Sequence, residues 1–237
     1  MAHSLPDPTG PLIGEKAPLS SLASLYPPSS PFLPMLSSIS LSYPSFRAVR
    51  GDGSCAYRAL LYGLCLGAVG SPPERERVAE VVRGSLKVLE GLGYDATAVE
   101  IFYDELLGLF GEVLVGKGEA DVHAALTGDS AEYYTWYMRL LTSAHLKSNA
   151  GRFEPYLTGH ADVASFCAAE VEPAGKECEQ VQVIALAEAL GVRVSVVYLD
   201  GHDEGGKFTE HVFGPEGAAI GISMLYRPGH YDLLFKD

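Results

Sequence analysis

The sequence predicts an α+β domain, and three observations carry that expectation. Helical periodicity fills the middle of the chain, valine-rich β-type runs crowd its end, and a glycine turn bearing a cysteine opens the first strong helical stripe. Helices first and strands last favour helical subdomains packed on a small, largely antiparallel C-terminal β-sheet. At 237 residues, 47% of them hydrophobic and 20% charged, the chain can bury a substantial core in one domain with an extension.

Residues 1–12 are expected to fray, 13–45 to form a Pro/Ser-rich segment packed on the domain, and 46–237 to be the domain itself. The first 45 residues hold 9 of the 15 prolines and 11 serines, and only Asp7, Glu15 and Lys16 carry charge. Proline opposes long helices. Yet Leu19, Leu22, Phe32, Leu36 and Ile39 belong to an apolar set too rich for a disordered tail, so short helical turns are expected. Beyond them Tyr57, Leu60, Leu61, Leu64 and Ala68 recur at helical spacing. Pro72-Pro73-Glu74 opens a second helix that stops at Gly93. Further helices are expected over roughly 97–115 and 130–148, a short one capped by Asp162, and a last one over 177–190 stopped by Gly191. Strands follow at 192–199, 222–226 and 230–235, the last two joined by an Arg227-Pro228-Gly229 hairpin turn.

The formal net charge of −13, from 30 acidic and 17 basic residues, argues against nucleic acid and suits a basic protein partner. Cys55, Cys65, Cys167 and Cys178 show no CxxC pair and no zinc spacing. Cys65 and Cys167 read as core, and Cys178, between Glu177 and Glu179, as a partly exposed spectator. His3, His123, His145, His160, His202 and His211 fit no metal motif and receive no role. The first residues lack the pattern of a signal peptide, and no apolar run is long enough to span a bilayer. The expectation is an intracellular, reducing compartment, the cytoplasm with the nucleus as an extension, no membrane partner, and a monomer.

Chemistry concentrates at two places. Gly51-Asp52-Gly53-Ser54-Cys55 sets a thiol at a helix N-terminus, where the macrodipole and unpaired N–H groups favour the thiolate. The backbone amides of Asp52, Gly53 and Cys55 can converge there on an oxyanion. Asp52 by itself reads as a turn or N-cap residue. Far downstream, His230 and Asp232 stand two apart in a strand, so both project from one face. The carboxylate of Asp232 can orient the imidazole, and His230 can act as base toward Cys55.

Asp52 to Ala59, reading DGSCAYRA, resembles the DGNCFYRA-type block around the nucleophile of the ovarian-tumour (OTU) cysteine proteases. Tyr226 to Phe235 resembles the terminal YRPGHYD block of their otubain branch. Similar blocks stand at Met138 to Ser143, Glu170 to Pro173 with Lys176-Glu177, and Val183 to Leu190, in the expected order from about Pro11 onward. The resemblance implies a papain-like OTU fold and a protease that cleaves isopeptide bonds at the ubiquitin C-terminus, with proteasome-targeting chains preferred. It implies Cys55 as nucleophile, His230 as general base, Asp232 as the residue orienting it, and Asp52 as part of the oxyanion region. It implies no metal or cofactor, ubiquitin and polyubiquitin as partners, and ubiquitin-conjugating enzymes as a further class. Two positions depart from the pattern: Ser54 replaces asparagine, and Ala56 replaces a bulky residue beside the nucleophile. Three other readings stay open: a ubiquitin- or conjugating-enzyme-binding regulator with weak catalysis, a protease for a ubiquitin-like modifier, and a structural protein in which Cys55 is merely buried.

Overall fold

A computed structural model describes residues 7–200 and 208–236. The expected fraying of residues 1–6 and the readings of His3 and His202 concern positions outside the described residues. The described strands are β1 (Ile13–Pro18), β2 (Ser45–Val49), β3 (Arg193–Tyr198), β4 (Glu210–Phe213), β5 (Gly221–Arg227) and β6 (His230–Phe235). They form a six-stranded sheet in the order β1-β2-β6-β5-β3-β4. Neighbours run antiparallel except β3 and β5, which are parallel. The three strands expected from sequence are β3, β5 and β6. The other three were silent for a physical reason: β1 contains Gly14 and ends on Pro18, β2 has five residues, and the four of β4 are largely exposed. The sheet therefore takes two strands from before Cys55 as well as those at the C-terminal end.

The helices are α1 (Phe32–Ser42), α2 (Cys55–Gly70), α3 (Pro72–Gly91), α4 (Ala96–Gly108), α5 (Glu119–Thr127), α6 (Ala131–Ser148), α7 (Ala150–Phe153), α8 (Val163–Phe166) and α9 (Gln180–Leu190). Their ends follow local chemistry. Asp95 accepts a hydrogen bond from Thr97 N at 3.0 Å, Asp162 accepts from Ser165 N at 2.7 Å, and α9 stops where Gly191 turns left-handed. Helix α1 is longer than the turns expected. Pro34 lies in its first turn, where the missing N–H breaks no helical bond. Helix α5 was unexpected because its nine residues bury only Val122 and Leu126, too few for a visible period.

Strand alternation divides the core into two layers. Val196, Met224 and Leu233 face the helices α2, α3, α4, α6 and α9. Their neighbours Val197, Leu225 and Leu234 face a smaller cluster supplied by Leu19, Leu22, Phe32, Met35, Leu36 and Ile39 from the Pro/Ser-rich segment. That segment is thus one of three layers, with the sheet between it and the main helices.

Helix α2 lies close against the sheet because two of its residues lack side chains. A Cβ at Gly63 would come within 2.6 Å of Ile222 Cγ2, and one at Gly67 within 2.7 Å of Ile220 Cγ2. Gly63→Val should therefore overpack this contact and cost about 1–3 kcal/mol, read as a lower urea midpoint with unchanged slope. An unchanged midpoint would mean that α2 is not seated on β5 in this way.

Candidate active site

Cys55 is the first residue of α2 and is buried, at 4% exposure. The turn before it requires glycine. Gly53 has φ +83°, and a Cβ there would stand 2.4 Å from the carbonyl oxygen of Gly175. Two backbones thus touch where a side chain would hold them apart. The side chain of Ser54 does not cap α2. Asp52 Oδ1 instead accepts from Ser54 N at 3.1 Å, while Ser54 Oγ accepts from Arg139 Nη2 at 2.9 Å. Asp52 Oδ1 also takes a hydrogen bond from Arg58 Nη1 at 2.5 Å. Half-burial would raise the Asp52 carboxyl, but the Arg58 bond and charge and the Ser54 N–H outweigh it and hold the group below its ordinary value. Arg58 joins Glu132 at 2.8 Å with its other amino group, which ties the loop to α6.

His230 begins β6 after the Pro228-Gly229 turn, where Gly229 has φ +76°. The expected strand geometry holds. His230 Nε2 lies 2.8 Å from Asp232 Oδ1, with both side chains almost wholly buried. Asp232 accepts three more hydrogen bonds: from Val49 N at 3.0 Å, Arg227 Nε at 3.1 Å and Arg227 Nη2 at 2.7 Å. Burial alone would raise the Asp232 carboxyl. The His230 bond, the Arg227 and His230 charges and the Val49 N–H reverse that and keep it below the usual carboxylate value. For His230, burial opposes the charged ring, but the bond and charge of Asp232, with those of Cys55, raise it to about 9. The other ring nitrogen, Nδ1, is buried without a hydrogen bond of normal geometry. Cys55 is the neighbour, after Asp232, whose hydrogen bonding and charge act on the ring.

The structure thus brings Cys55, His230 and Asp232 into one buried group, with Asp52 at the mouth of the nucleophile loop. It also supplies residues to which the sequence reading gave no role. Arg227 was read as part of a turn, but its guanidinium is the second anchor of Asp232. Arg139, buried in α6, hydrogen-bonds the carbonyls of Gly53, Val171 and Lys176, each at 3.0 Å. Its Cζ lies 4.4 Å from the centre of the Tyr57 ring. A basic residue between Met138 and Leu140, on a helix whose stripe is apolar, was the available signal. Cys178 corrects an expectation: it is 8% exposed, not a surface spectator. Its thiol is pushed up by burial and by the charge of Cys55, which places it beside the site. The reason is that the exposed stretch 174–177, whose Gly175 backbone touches Gly53, turns inward only at Cys178, while Glu177 and Glu179 line a cleft.

That cleft, about 610 Å³, is bounded by Gly175 to Gln180 on one side and by Tyr198, Tyr226, Gly229 and Tyr231 on the other. Its charged lining is Glu170, Glu177 and Glu179 with Lys176, which pairs with Glu170 at 3.2 Å, a net acidic balance beside the strand end that carries His230. Among the described residues no group of histidine, cysteine, aspartate or glutamate is arranged to hold a metal ion, and no helix is long and apolar enough to cross a membrane.

Residues 7–236 match the family described as Peptidase C65 Otubain. The chain is 34% identical over 247 residues to an ovarian tumor domain-containing deubiquitinating enzyme 1 of Arabidopsis thaliana, covering 95% of this chain and 81% of that one. It is 34% identical over 228 residues to the ubiquitin thioesterase OTUB1 of Homo sapiens, covering 95% and 83%. Among solved structures it is similar to the OTUB1 chain in "The structure of h/ceOTUB1-ubiquitin aldehyde-UBCH5B~Ub", with TM-score 0.89, 31% identity and coverage of 96% and 91%. A complex of ceOTUB1 with ubiquitin aldehyde and UBC13~Ub matches at TM-score 0.88 and 30% identity, covering 97% and 95%.

The buried pair predicts a definite pH response. His230, being raised, adds stability that is complete below the ordinary imidazole value of about 6.5 and is lost as pH climbs through about 9. Asp232, being lowered, adds stability present above its ordinary value of about 3.9 and lost as pH falls below it. NMR titration should place the His230 midpoint near 9, and Asp232→Asn should lower it and flatten the stability slope between pH 6.5 and 9. An unmoved midpoint would assign the shift to another group. Arg227→Met should leave Asp232 partly unpaired and cost about 3–5 kcal/mol in urea unfolding.

Proposed function

The chain belongs to the otubain family of peptidases, and we propose that it is a thiol-dependent ubiquitin hydrolase working through Cys55, His230 and Asp232. The observation that carries the assignment of roles is the buried His230–Asp232 pair, with its remaining ring nitrogen left to Cys55. In the proposed mechanism Cys55 and His230 react as a thiolate–imidazolium pair, and the thiolate attacks the carbonyl of the C-terminal glycine of ubiquitin. A sulfur–carbon bond forms as the carbonyl π pair moves to oxygen, beside the amides of the Asp52–Cys55 loop. The tetrahedral intermediate collapses, the lysine nitrogen takes the proton from His230 and leaves, and an acyl-thioester remains. Water, deprotonated by His230, then releases the ubiquitin carboxylate and returns the thiol. Asp232 stays ionised throughout and stabilises the imidazolium.

The relatives named ubiquitin thioesterase support ubiquitin as the substrate. The net acidic cleft supports a cationic tail as the part that reaches the thiol, since Glu177 and Glu179 add to a Glu170 already paired with Lys176. Proteasome-targeting chains are the proposed preference. Ubiquitin-conjugating enzymes are the second class of partner, supported by the OTUB1 complexes that contain UBCH5B~Ub and UBC13~Ub. The four cysteines are free thiols, which favours the reducing cytoplasm and nucleus as the place of work.

The test is a ubiquitin probe carrying a C-terminal electrophile, run beside probes made from ubiquitin-like modifiers. A covalent adduct with ubiquitin that disappears in Cys55→Ala is expected. An adduct formed only with another modifier would select that class of substrate instead. Against linkage-defined diubiquitins, Asp232→Asn should lower kcat by about a hundredfold or more. Fastest cleavage of a linkage other than the proteasome-targeting one would overturn the preference while leaving the chemistry intact.

A further inference from the structure

We propose that Arg139 is a positioning residue for this reaction, locking the peptide between Gly53 and Ser54 so that the nucleophile loop keeps its donors toward the reacting carbonyl. The inference rests on Cys55 being the nucleophile.

Arg139 is 0% exposed and heads the fully buried side chains by volume. Its amino groups reach three backbone carbonyls and one hydroxyl: Val171 O, Gly53 O, Lys176 O and Ser54 Oγ, all within 3.0 Å. Every one of these partners is a neutral oxygen. A buried cation is expensive without an anion, so a guanidinium held only by neutral oxygens, with its Nε buried and unpartnered, needs a reason beyond stability. Two of the four oxygens belong to the nucleophile loop, and the other two to the 171–176 stretch that backs it.

The Gly53–Ser54 peptide is held at both ends. Its carbonyl oxygen accepts from Arg139, and its N–H donates to Asp52 Oδ1. Gly53 sits at φ +83° and has no Cβ, so nothing intrinsic to the loop opposes rotation of this peptide. Rotation would turn the carbonyl oxygen toward the carboxylate of Asp52 and disturb the amides beside Cys55. Arg139 removes that freedom from the inside and Asp52 from the outside. The Gly175 backbone, in contact with Gly53, closes the third side.

Charge adds to geometry. The guanidinium has no acidic partner among the described residues, and it lies under the N-terminal turn of α2, over the ring of Tyr57. Negative charge develops beside that turn on the oxyanion, and a fixed cation in a dry site favours it without moving. Lysine cannot reproduce it, because a single ammonium nitrogen cannot reach Val171 O, held by Nη1, together with Gly53 O, Ser54 Oγ and Lys176 O, which surround Nη2.

The experiment compares Arg139→Lys with wild type in steady-state cleavage of diubiquitin, and in binding of ubiquitin and ubiquitin aldehyde. The aldehyde adds the Cys55 sulfur to its carbonyl carbon, and the resulting oxygen occupies the place of the oxyanion. We expect kcat to fall about 10–100-fold with KM within about twofold, and the preference for aldehyde over ubiquitin to fall by a similar factor. Thermal unfolding serves as the check on folding. If Arg139→Lys does not fold, Ser54→Ala removes only the hydroxyl link, and a loss of kcat at constant KM is expected there too. Unchanged kcat and aldehyde preference in a folded variant overturn the proposal, as does an equal loss of affinity for ubiquitin and its aldehyde. A wild-type protein that forms no adduct with the aldehyde overturns the assignment of Cys55 instead, so the two failures are distinct.

Discussion

The site hangs on one buried carboxylate. Asp232 is fully enclosed, yet its two oxygens accept four hydrogen bonds, which fills the capacity of an ionised carboxylate. Each donor comes from a different place: the β2 backbone, the end of β5 and the first residue of β6. The His230 bond, the Arg227 charge and the Val49 N–H together keep Asp232 anionic. The imidazole can therefore take a proton from the thiol and find its counter-charge already in place, with no solvent reorganisation. Arg227 also interacts with Tyr26, in the proline-rich layer, by charge and hydrogen bonding. The layer that looks least like an enzyme thus backs the carboxylate paired with His230.

Cys55 is registered to the same frame by a second route. Helix α2 rests its glycines on Ile220 and Ile222, at the start of β5, and β5 ends in Arg227. The strand pairs with β6 in antiparallel register, Arg227 opposite His230. One strand therefore measures the distance between thiol and imidazole, through packing at one end and an ion pair at the other. The small residue at Ala56 fits this frame. It is 2% exposed within the same core as Cys55 and Tyr57, so the absence of an aromatic group there leaves the helix start enclosed.

Much of this was legible in the residues. The stripes of α2, α3, α4 and α6 needed only their spacing, because long helices repeat their apolar face several times. The His230–Asp232 contact followed from strand parity, a rule with no tertiary input. What stayed hidden depended on partners far away in sequence. Strands β1 and β2 are defined by what they pair with, not by their own alternation. Arg139 and Arg227 look like ordinary surface charges until the carbonyls and the carboxylate that enclose them are known. Cys178 seemed exposed because its flanking glutamates are charged, but an inward turn of the backbone placed the thiol inside and the carboxylates out. Asp52 was read as a turn residue and as part of the oxyanion region, and its carboxylate does the first of these in plain view.

The bond between Val49 N and Asp232 spans 183 residues of sequence. Such a closure comes late in folding, after local helices have formed. On a ribosome adding about 5–20 residues per second, the cysteine emerges on the order of ten seconds or more before the strand that carries its base. During that interval the nascent chain holds a thiol at a helix start but neither imidazole nor carboxylate. An unfinished copy of this chain would thus lack the His230–Asp232 pair until β6 entered the middle of the sheet. The order in which the chain is made thus sets the order in which this site is assembled.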